Sequence, residues 1–303
     1  MYTKSVIIPR HLVKGDLIGI AAPASSFDVA EFDKGASVLE SMGFRLIIPD
    51  GIYRRRGYLA GSDVERAELL NELFKNRQVK AIICARGGFG STRLLQYLDY
   101  KAIRENPKIF VGFSDITAIL SALYIKCRLV TYHGPMITTL GQADRMTRES
   151  LMSVLLSDSK FELKPKNCFV IQSGVAAGPV VGGNLSILCS LMGTPAQPDY
   201  NGRILFLEER SEAPYRIDRM LIHMRQAGCI ERLAGLILGS FEGCGQYDEV
   251  MEIVADIIRD FDFPVMAGFE AGHGRTNLAF PMGLEAILDT EERALSFLKD
   301  FLE

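Results

Sequence analysis

Lys108-Ile-Phe-Val-Gly-Phe-Ser-Asp-Ile-Thr117 is the stretch on which the reading of this chain turns. Its apolar run stops at Gly112, and Ser114 stands where a helical pattern begins, giving the strand, sharp turn and helix of an α/β layer protein. A serine on such a turn is pushed out at the sheet edge with its hydroxyl exposed. The amide of the next residue, Asp115, points toward the same space, which is the nucleophile elbow used in acyl transfer. Two residues after the serine, Ile116 stands where the strict pattern has glycine, and a serine N-cap on a buried helix accounts for the same letters. Partners elsewhere in the chain have to separate the two readings.

Outward from this stretch, the first half alternates short β-like runs (residues 17–22, 45–49, 79–85, 109–113 and 129–133) with helical patterns. The helices are expected over 28–42 and 63–74, through Leu94, Leu95 and Leu98, and from Ser114 to about Cys127. That alternation is the signature of a parallel sheet covered on both faces. Between Ser157 and Gly178 it gives way to Ser-Asp-Ser, Lys-Pro-Lys-Asn and Ser-Gly, which marks a junction. We therefore expect an N-terminal α/β domain over 1–156, a linker over 157–177 and a C-terminal α/β domain over 178–303. In the latter, helices are expected over 184–192, 215–227 and 250–261, and strands over 203–207, 233–238, 265–269 and 284–289.

With 303 residues, 48% hydrophobic and 23% charged, the chain has material for one large or two ordinary globular domains. A net charge of −3 and the lack of any basic stripe argue against nucleic acid, and Arg54-Arg55-Arg56 reads as a solvated turn. No run has the length of a membrane helix, and the N-terminal apolar segment is too short for a signal peptide, so a cytoplasmic location and no membrane partner are expected. The six cysteines lack CxxC spacing and read as reduced core residues. The four histidines lie far apart, so no metal site is expected.

Arg86-Gly-Gly-Phe-Gly90 follows a strand and lets backbone approach a ligand with its amides exposed, either as a plain tight turn or as a partner for Asp115 in an oxyanion hole through Gly88. It has neither GxGxxG nor phosphate-loop spacing. Glu208 ends the apolar run 203–207, where sites accumulate in open α/β sheets. His273 lies between Gly272 and Gly274, in a loop rather than on an apolar helical face; turn stabilisation is the alternative role. His133 and His223 read as structural. Each of Ser114, Glu208 and His273 follows a predicted strand, so one cleft can collect a nucleophile, an orienting carboxylate and a base.

At this point the chain resembles the LD-carboxypeptidases, a group of serine peptidases that also includes the microcin C immunity proteins. The matching segments are Gly15-Asp-Leu-Ile-Gly-Ile-Ala-Ala-Pro23, Ala85-Arg-Gly-Gly-Phe-Gly90, Val111-Gly-Phe-Ser-Asp-Ile-Thr117, His133-Gly-Pro-Met136, Gly182-Gly-Asn-Leu185, Leu205-Phe-Leu-Glu-Glu209, Pro214-Tyr-Arg-Ile-Asp-Arg-Met-Leu221 and Gly272-His-Gly-Arg-Thr-Asn277. The resemblance implies Ser114 as nucleophile, Glu208 as orienter, His273 as general base, and the amides of Gly88 and Asp115 as oxyanion hole. It implies a flavodoxin-like or Rossmann-like N-terminal domain, a smaller C-terminal α/β domain, a site between them, a homodimer, and no metal or organic cofactor. The implied substrate is a cytoplasmic muropeptide that loses terminal D-alanine in peptidoglycan recycling. Family sequences commonly have Asp where this chain has Glu209. Asn184 is expected to hydrogen-bond substrate, with a helix N-cap as its alternative role, and Glu212 to attract the amino group of a diamino acid.

Two other functions compete with muropeptide hydrolysis. One keeps the chemistry and takes a microcin-like aminoacyl nucleotide; the other is a non-catalytic protein that binds a ligand in the cleft.

Overall fold

The computed structural model describes residues 6–156 and 161–298. The chain divides into two compact units, Met1–Asp158 with Leu278–Pro281, and Ser159–Asn277 with Met282–Glu303.

In the first unit, β1 (Leu17–Ala21), β2 (Arg45–Ile47), β3 (Val79–Cys84), β4 (Ile109–Gly112) and β5 (Thr131–His133) pair in parallel. The sheet runs β12-β5-β4-β3-β1-β2, where β12 is Phe280–Met282, the twelfth strand along the chain. Successive residues of a strand face opposite sides, yet Ile82 and Ile83, and Phe110 and Val111, are all fully buried, so both faces are covered. The cover comes from α1 (Val29–Ser41), α2 (Asp63–Lys75), α3 (Tyr100–Glu105), α4 (Thr117–Cys127), α5 (Ile137–Leu140) and α6 (Arg145–Leu156). Asp28 caps α1, and Ser62 with Glu65 forms a capping box on α2. The single helix expected through Leu94, Leu95 and Leu98 is instead a 3-10 turn, Ser91–Leu94, followed by α3. Gly90, at φ 114°, starts the turn, and the Asp99 side chain accepts from Ala102 N to start a new helix.

The second unit holds β6 (Phe161–Leu163), β7 (Phe169–Gln172), β8 (Val175–Asn184), β9 (Ile204–Arg210), β10 (Gly235–Glu242), β11 (Val265–Ala267), β13 (Glu285–Asp289) and β14 (Ala294–Phe297). They form one sheet in the order β6-β14-β13-β8-β9-β10-β11-β7. The run from β8 to β11 is parallel, and the outer pairs are antiparallel. Helices α7 (Leu185–Leu191), α8 (Pro214–Gln226) and α9 (Tyr247–Ile258) follow β8, β9 and β10. The protein is therefore α/β, with an N-terminal sheet whose strands β1 to β5 are parallel and a mixed C-terminal sheet.

Two sequence-based boundaries change. Residues 157–177 are not a linker: β6 and β7 lie there, at opposite edges of the second sheet, and β8 begins at Val175. As half-exposed edge strands they carry little apolar patterning, and the turns beside them looked like linker composition. Residues 157–160 lie outside the described residues. Leu278–Pro281, expected in the C-terminal domain, belongs to the first unit. There Phe280 stacks on His133 at 5.1 Å, both rings fully buried, and Ala279 N donates to Ser150 Oγ at 2.9 Å.

Truncating Phe280 should therefore weaken the first unit. Urea unfolding followed by circular dichroism is expected to show Phe280→Ala destabilised by about 3–5 kcal/mol, the usual cost of emptying a buried aromatic site. A loss under about 1 kcal/mol would mean that the returning segment is dispensable to the sheet.

Candidate active site

Ser114 follows β4 with φ 62°, a left-handed conformation uncommon for a residue with a side chain. The turn leaves its side chain partly exposed while Phe113 and Asp115 on either side are buried. Gly112 makes this turn possible, because a Cβ there would lie 2.6 Å from Ile116 Cγ2. The bulk that the strict elbow excludes at position 116 is accommodated by the missing side chain at 112. Gly87 does the same beside the nucleophile: a Cβ there would lie 3.1 Å from Ser114 Cβ and 3.3 Å from its Oγ.

The glycine loop is tied down around Gly88, which has φ 101°. Phe89 N donates to Ser25 Oγ at 3.1 Å, and Ser25 N donates to Gly87 O at 3.2 Å. A side chain on Gly88 would strike Ser25 Oγ at 2.5 Å. The Asp115 carboxylate, 2% exposed, accepts from Ser91 N at 2.8 Å and from the Gly90 amide, while Ser91 Oγ donates to the Asp115 carbonyl. Burial raises the Asp115 pKa, and the hydrogen bonds from Ser91 and Gly90 oppose that rise. Asp115 therefore joins the glycine loop to the residue that follows the serine.

In the second unit, Glu208 and Glu209 are adjacent buried carboxylates on β9, and the pleat sends them to opposite faces. Glu208, with no exposed surface, accepts from His273 Nδ1 at 2.6 Å. With a carboxylate as acceptor, Nδ1 carries the hydrogen, and Nε2 is the ring atom that takes up a proton. Glu209 faces α7 instead, accepting from Asn184 Nδ2 at 2.9 Å and Ser186 N at 2.8 Å. Burial raises the Glu209 pKa, opposed by these bonds and by that from Arg210 N, while the charge of Glu208 raises it further. Its place at a helix N-terminus is electrostatically favourable.

The loop carrying His273 is shaped by two residues that sequence reasoning did not single out. Ser240 Oγ accepts from Gly274 N at 3.0 Å, and Asn277 Oδ1 accepts from Gly272 N at 2.9 Å. Gly272, at φ 110°, has room for no side chain, since a Cβ would lie 2.6 Å from both Glu208 Oε2 and Ser240 Oγ. Asn277 ends the glycine and histidine motif and was visible there; Ser240 sits in an apolar strand with no local signal.

Asn184 takes the capping role. Its Oδ1 accepts from Ile187 N at 3.2 Å and from Ser186 Oγ at 2.9 Å, and the substrate-contact reading draws no support from this geometry. Glu212 shares its charge with Arg216 Nη1 at 3.2 Å, one helical turn on. All six cysteines are free thiols. Among the described residues, no group of three or more His, Cys, Asp or Glu could hold a metal ion, and no helix is long and apolar enough to cross a membrane.

A strained serine beside a glycine loop, and a histidine held by a buried carboxylate, are the parts of serine-dependent acyl transfer. Sequence families point to the same chemistry. Residues 18–134 match the LD-carboxypeptidase N-terminal domain and residues 177–288 the LD-carboxypeptidase C-terminal domain. The chain belongs to the LD-carboxypeptidase family of peptidases. It is 37% identical over 297 residues to the probable murein peptide carboxypeptidase of Bacillus subtilis (strain 168), covering 94% of this chain and 92% of that one. It is 30% identical over 333 residues to the microcin C7 self-immunity protein MccF of Escherichia coli, covering 98% and 97%. Among solved structures, an MccF-like protein from Bacillus anthracis str. Ames superposes with a TM-score of 0.91 at 29% identity, over 96% of this chain and 99% of that one. The muramoyltetrapeptide carboxypeptidase from Oxalobacter formigenes gives 0.82 at 29%, over 92% and 97%.

The two glutamates should separate cleanly in assays of peptide hydrolysis. Glu208→Gln is expected to lower kcat by about 10³–10⁴-fold, as when the orienting acid of a triad is neutralised. Glu209→Gln should leave kcat near wild type and cost about 0.5–2 kcal/mol of stability at the α7 N-terminus. The reverse pattern would exchange their roles.

Proposed function

We propose that the protein is a serine L,D-carboxypeptidase that releases terminal D-alanine from muropeptide tetrapeptides through an acyl-enzyme. The observation that carries this reading is the 2.6 Å contact between His273 Nδ1 and the buried Glu208, which prepares the imidazole for base catalysis. The names of the Bacillus subtilis relative at 37% identity and of the Oxalobacter formigenes structure, a murein peptide carboxypeptidase and a muramoyltetrapeptide carboxypeptidase, support the substrate class.

On this reading Ser114 Oγ attacks the carbonyl carbon of the L,D-bond and passes its proton to His273 Nε2. Negative charge develops on the carbonyl oxygen and is met by the amides of Gly88 and Asp115, each such donor being worth about 3 kcal/mol in the transition state. When the intermediate collapses, the C–N bond breaks and His273 returns the proton to the departing D-alanine amine. A water molecule then gives a proton to His273 and attacks the ester carbon; as that intermediate collapses the C–Oγ bond breaks, His273 returns the proton to Ser114 Oγ, and the peptide acid leaves. Glu208 keeps its charge throughout and stabilises the imidazolium that forms twice in the cycle.

D-alanine release from a tetrapeptide carrying diaminopimelate or lysine at its third position tests this directly. Wild type should turn over, and a folded Ser114→Ala variant should lose at least about 10³-fold in kcat. Full activity in that variant removes the nucleophile assignment. An aminoacyl nucleotide hydrolysed in place of the tetrapeptide moves the substrate to the microcin class.

A further inference from the structure

Arg66, on α2, is 2% exposed although it carries a full positive charge. Burying a guanidinium is expensive unless its hydrogens are well used. Here Nη2 pairs with Asp63 Oδ1 at 2.6 Å, and Asp63 in turn accepts from Arg93 Nε and Nη2. Nη1 donates to two backbone carbonyls from different segments, Pro23 just after β1 and Gly90 at the end of the glycine loop, the latter at 3.1 Å. The approach to Gly90 is close enough that a Cβ there would lie 3.1 Å from Arg66 Nη1 and 2.5 Å from Leu59 Cδ2.

These bonds converge on one short stretch of backbone. The Gly90 carbonyl is held by Arg66, and the Gly90 amide by the Asp115 carboxylate on the other side. Ser25, two residues after Pro23, holds the Phe89 amide and the Gly87 carbonyl. Gly88 lies in the middle, between the bound Gly87 carbonyl on one side and the bound Phe89 amide and both backbone groups of Gly90 on the other.

We propose that Arg66 is a positioning residue for hydrolysis: by spanning the Pro23 and Gly90 carbonyls against the pull of Asp115, it fixes the Gly88 amide where charge develops on the substrate oxygen. The proposal rests on Ser114 as nucleophile and Gly88 as an oxyanion donor. Displacing that amide weakens an interaction made in the transition state, so the effect belongs in kcat rather than in KM.

The test uses the full chain and two readouts, D-alanine release from a tetrapeptide and the rate constant for phosphonylation of Ser114 at saturating fluorophosphonate, whose phosphoryl oxygen needs the same donors. Arg66→Met is expected to lower both kcat and the labelling rate constant by about tenfold or more, a fraction of the 10²–10³-fold lost when an oxyanion donor is removed outright. KM should stay within about threefold, and Arg66→Lys, which keeps a donor, should recover part of the loss. Should Arg66→Met fail to fold, Arg66→Lys carries the same test: a single ammonium cannot pair with Asp63 and also span the Pro23 and Gly90 carbonyls as the guanidinium does, and it should lower both rates by about fivefold. Unchanged rates in a folded variant, or a loss confined to KM or to melting temperature, would overturn the proposal. Wild type that labels at Ser114 but releases no D-alanine refutes the substrate reading alone, and the labelling rates of the variants still decide Arg66. Wild type that neither labels nor turns over overturns both.

Discussion

A carboxylate with no exposed surface needs a partner, and Glu208 meets His273 at 2.6 Å while its second oxygen, Oε1, has no hydrogen-bond partner among the described residues. Its charge is thus answered chiefly by one imidazole, and the answer is strongest when that ring is protonated. Much local architecture follows from bringing the two together. Gly272 has no space for a side chain because Glu208 and Ser240 fill it, and Gly239 is bare because a Cβ would meet Ala271 O at 2.5 Å. Ser240 N donates to Ala271 O, and its hydroxyl receives the Gly274 amide, so one residue of β10 grips the loop on both sides of the histidine. The glycines flanking His273 serve close packing as much as loop bending.

The first unit solves a different problem. There the constraint is backbone strain, with Ser114 turned to φ 62° between a buried strand and a helix that is apolar nearly all round. Such a conformation persists only when its surroundings over-determine it. Gly112 admits Ile116 beneath the turn, and Asp115 is anchored by main-chain and side-chain bonds to Ser91. The anchoring carboxylate comes from the residue after the serine, so the turn and the glycine loop share a single buried group.

Legibility in the sequence followed burial. Strands covered on both faces, β1, β3 and β4, read directly as apolar runs, and the helices between them as capped amphipathic patterns. Edge strands β6 and β7 did not, because of their seven residues only Leu163 is buried, and β12 is three residues long with Pro281 at its centre. Helix α6 was hidden by Thr147 and Ser150 on its buried face. At the site, glycine neighbours exposed Ser114, Gly88 and His273 as places of unusual backbone. The choice between Glu208 and Glu209 depends on which way the pleat of β9 turns, and that parity is invisible until the partners on each face are known. Arg66 and Ser240 had no local mark at all, since each matters only through backbone contributed by distant segments.

The return of Leu278–Pro281 to the first unit bears on how the molecule is made. The strand beside β5 is supplied by residues that leave the ribosome only after nearly the whole second unit has been synthesised. Until then the free edge of β5, directly beside the β4 strand that leads into the nucleophile turn, lacks its neighbour, and His133 lacks the Phe280 ring that stacks on it. A nascent N-terminal half therefore presents an open sheet edge, the kind of surface chaperones bind and aggregation exploits. Because His273 precedes this closing strand by only a few residues, the same late segment that seals the first sheet also delivers the base, and an incomplete chain lacks both.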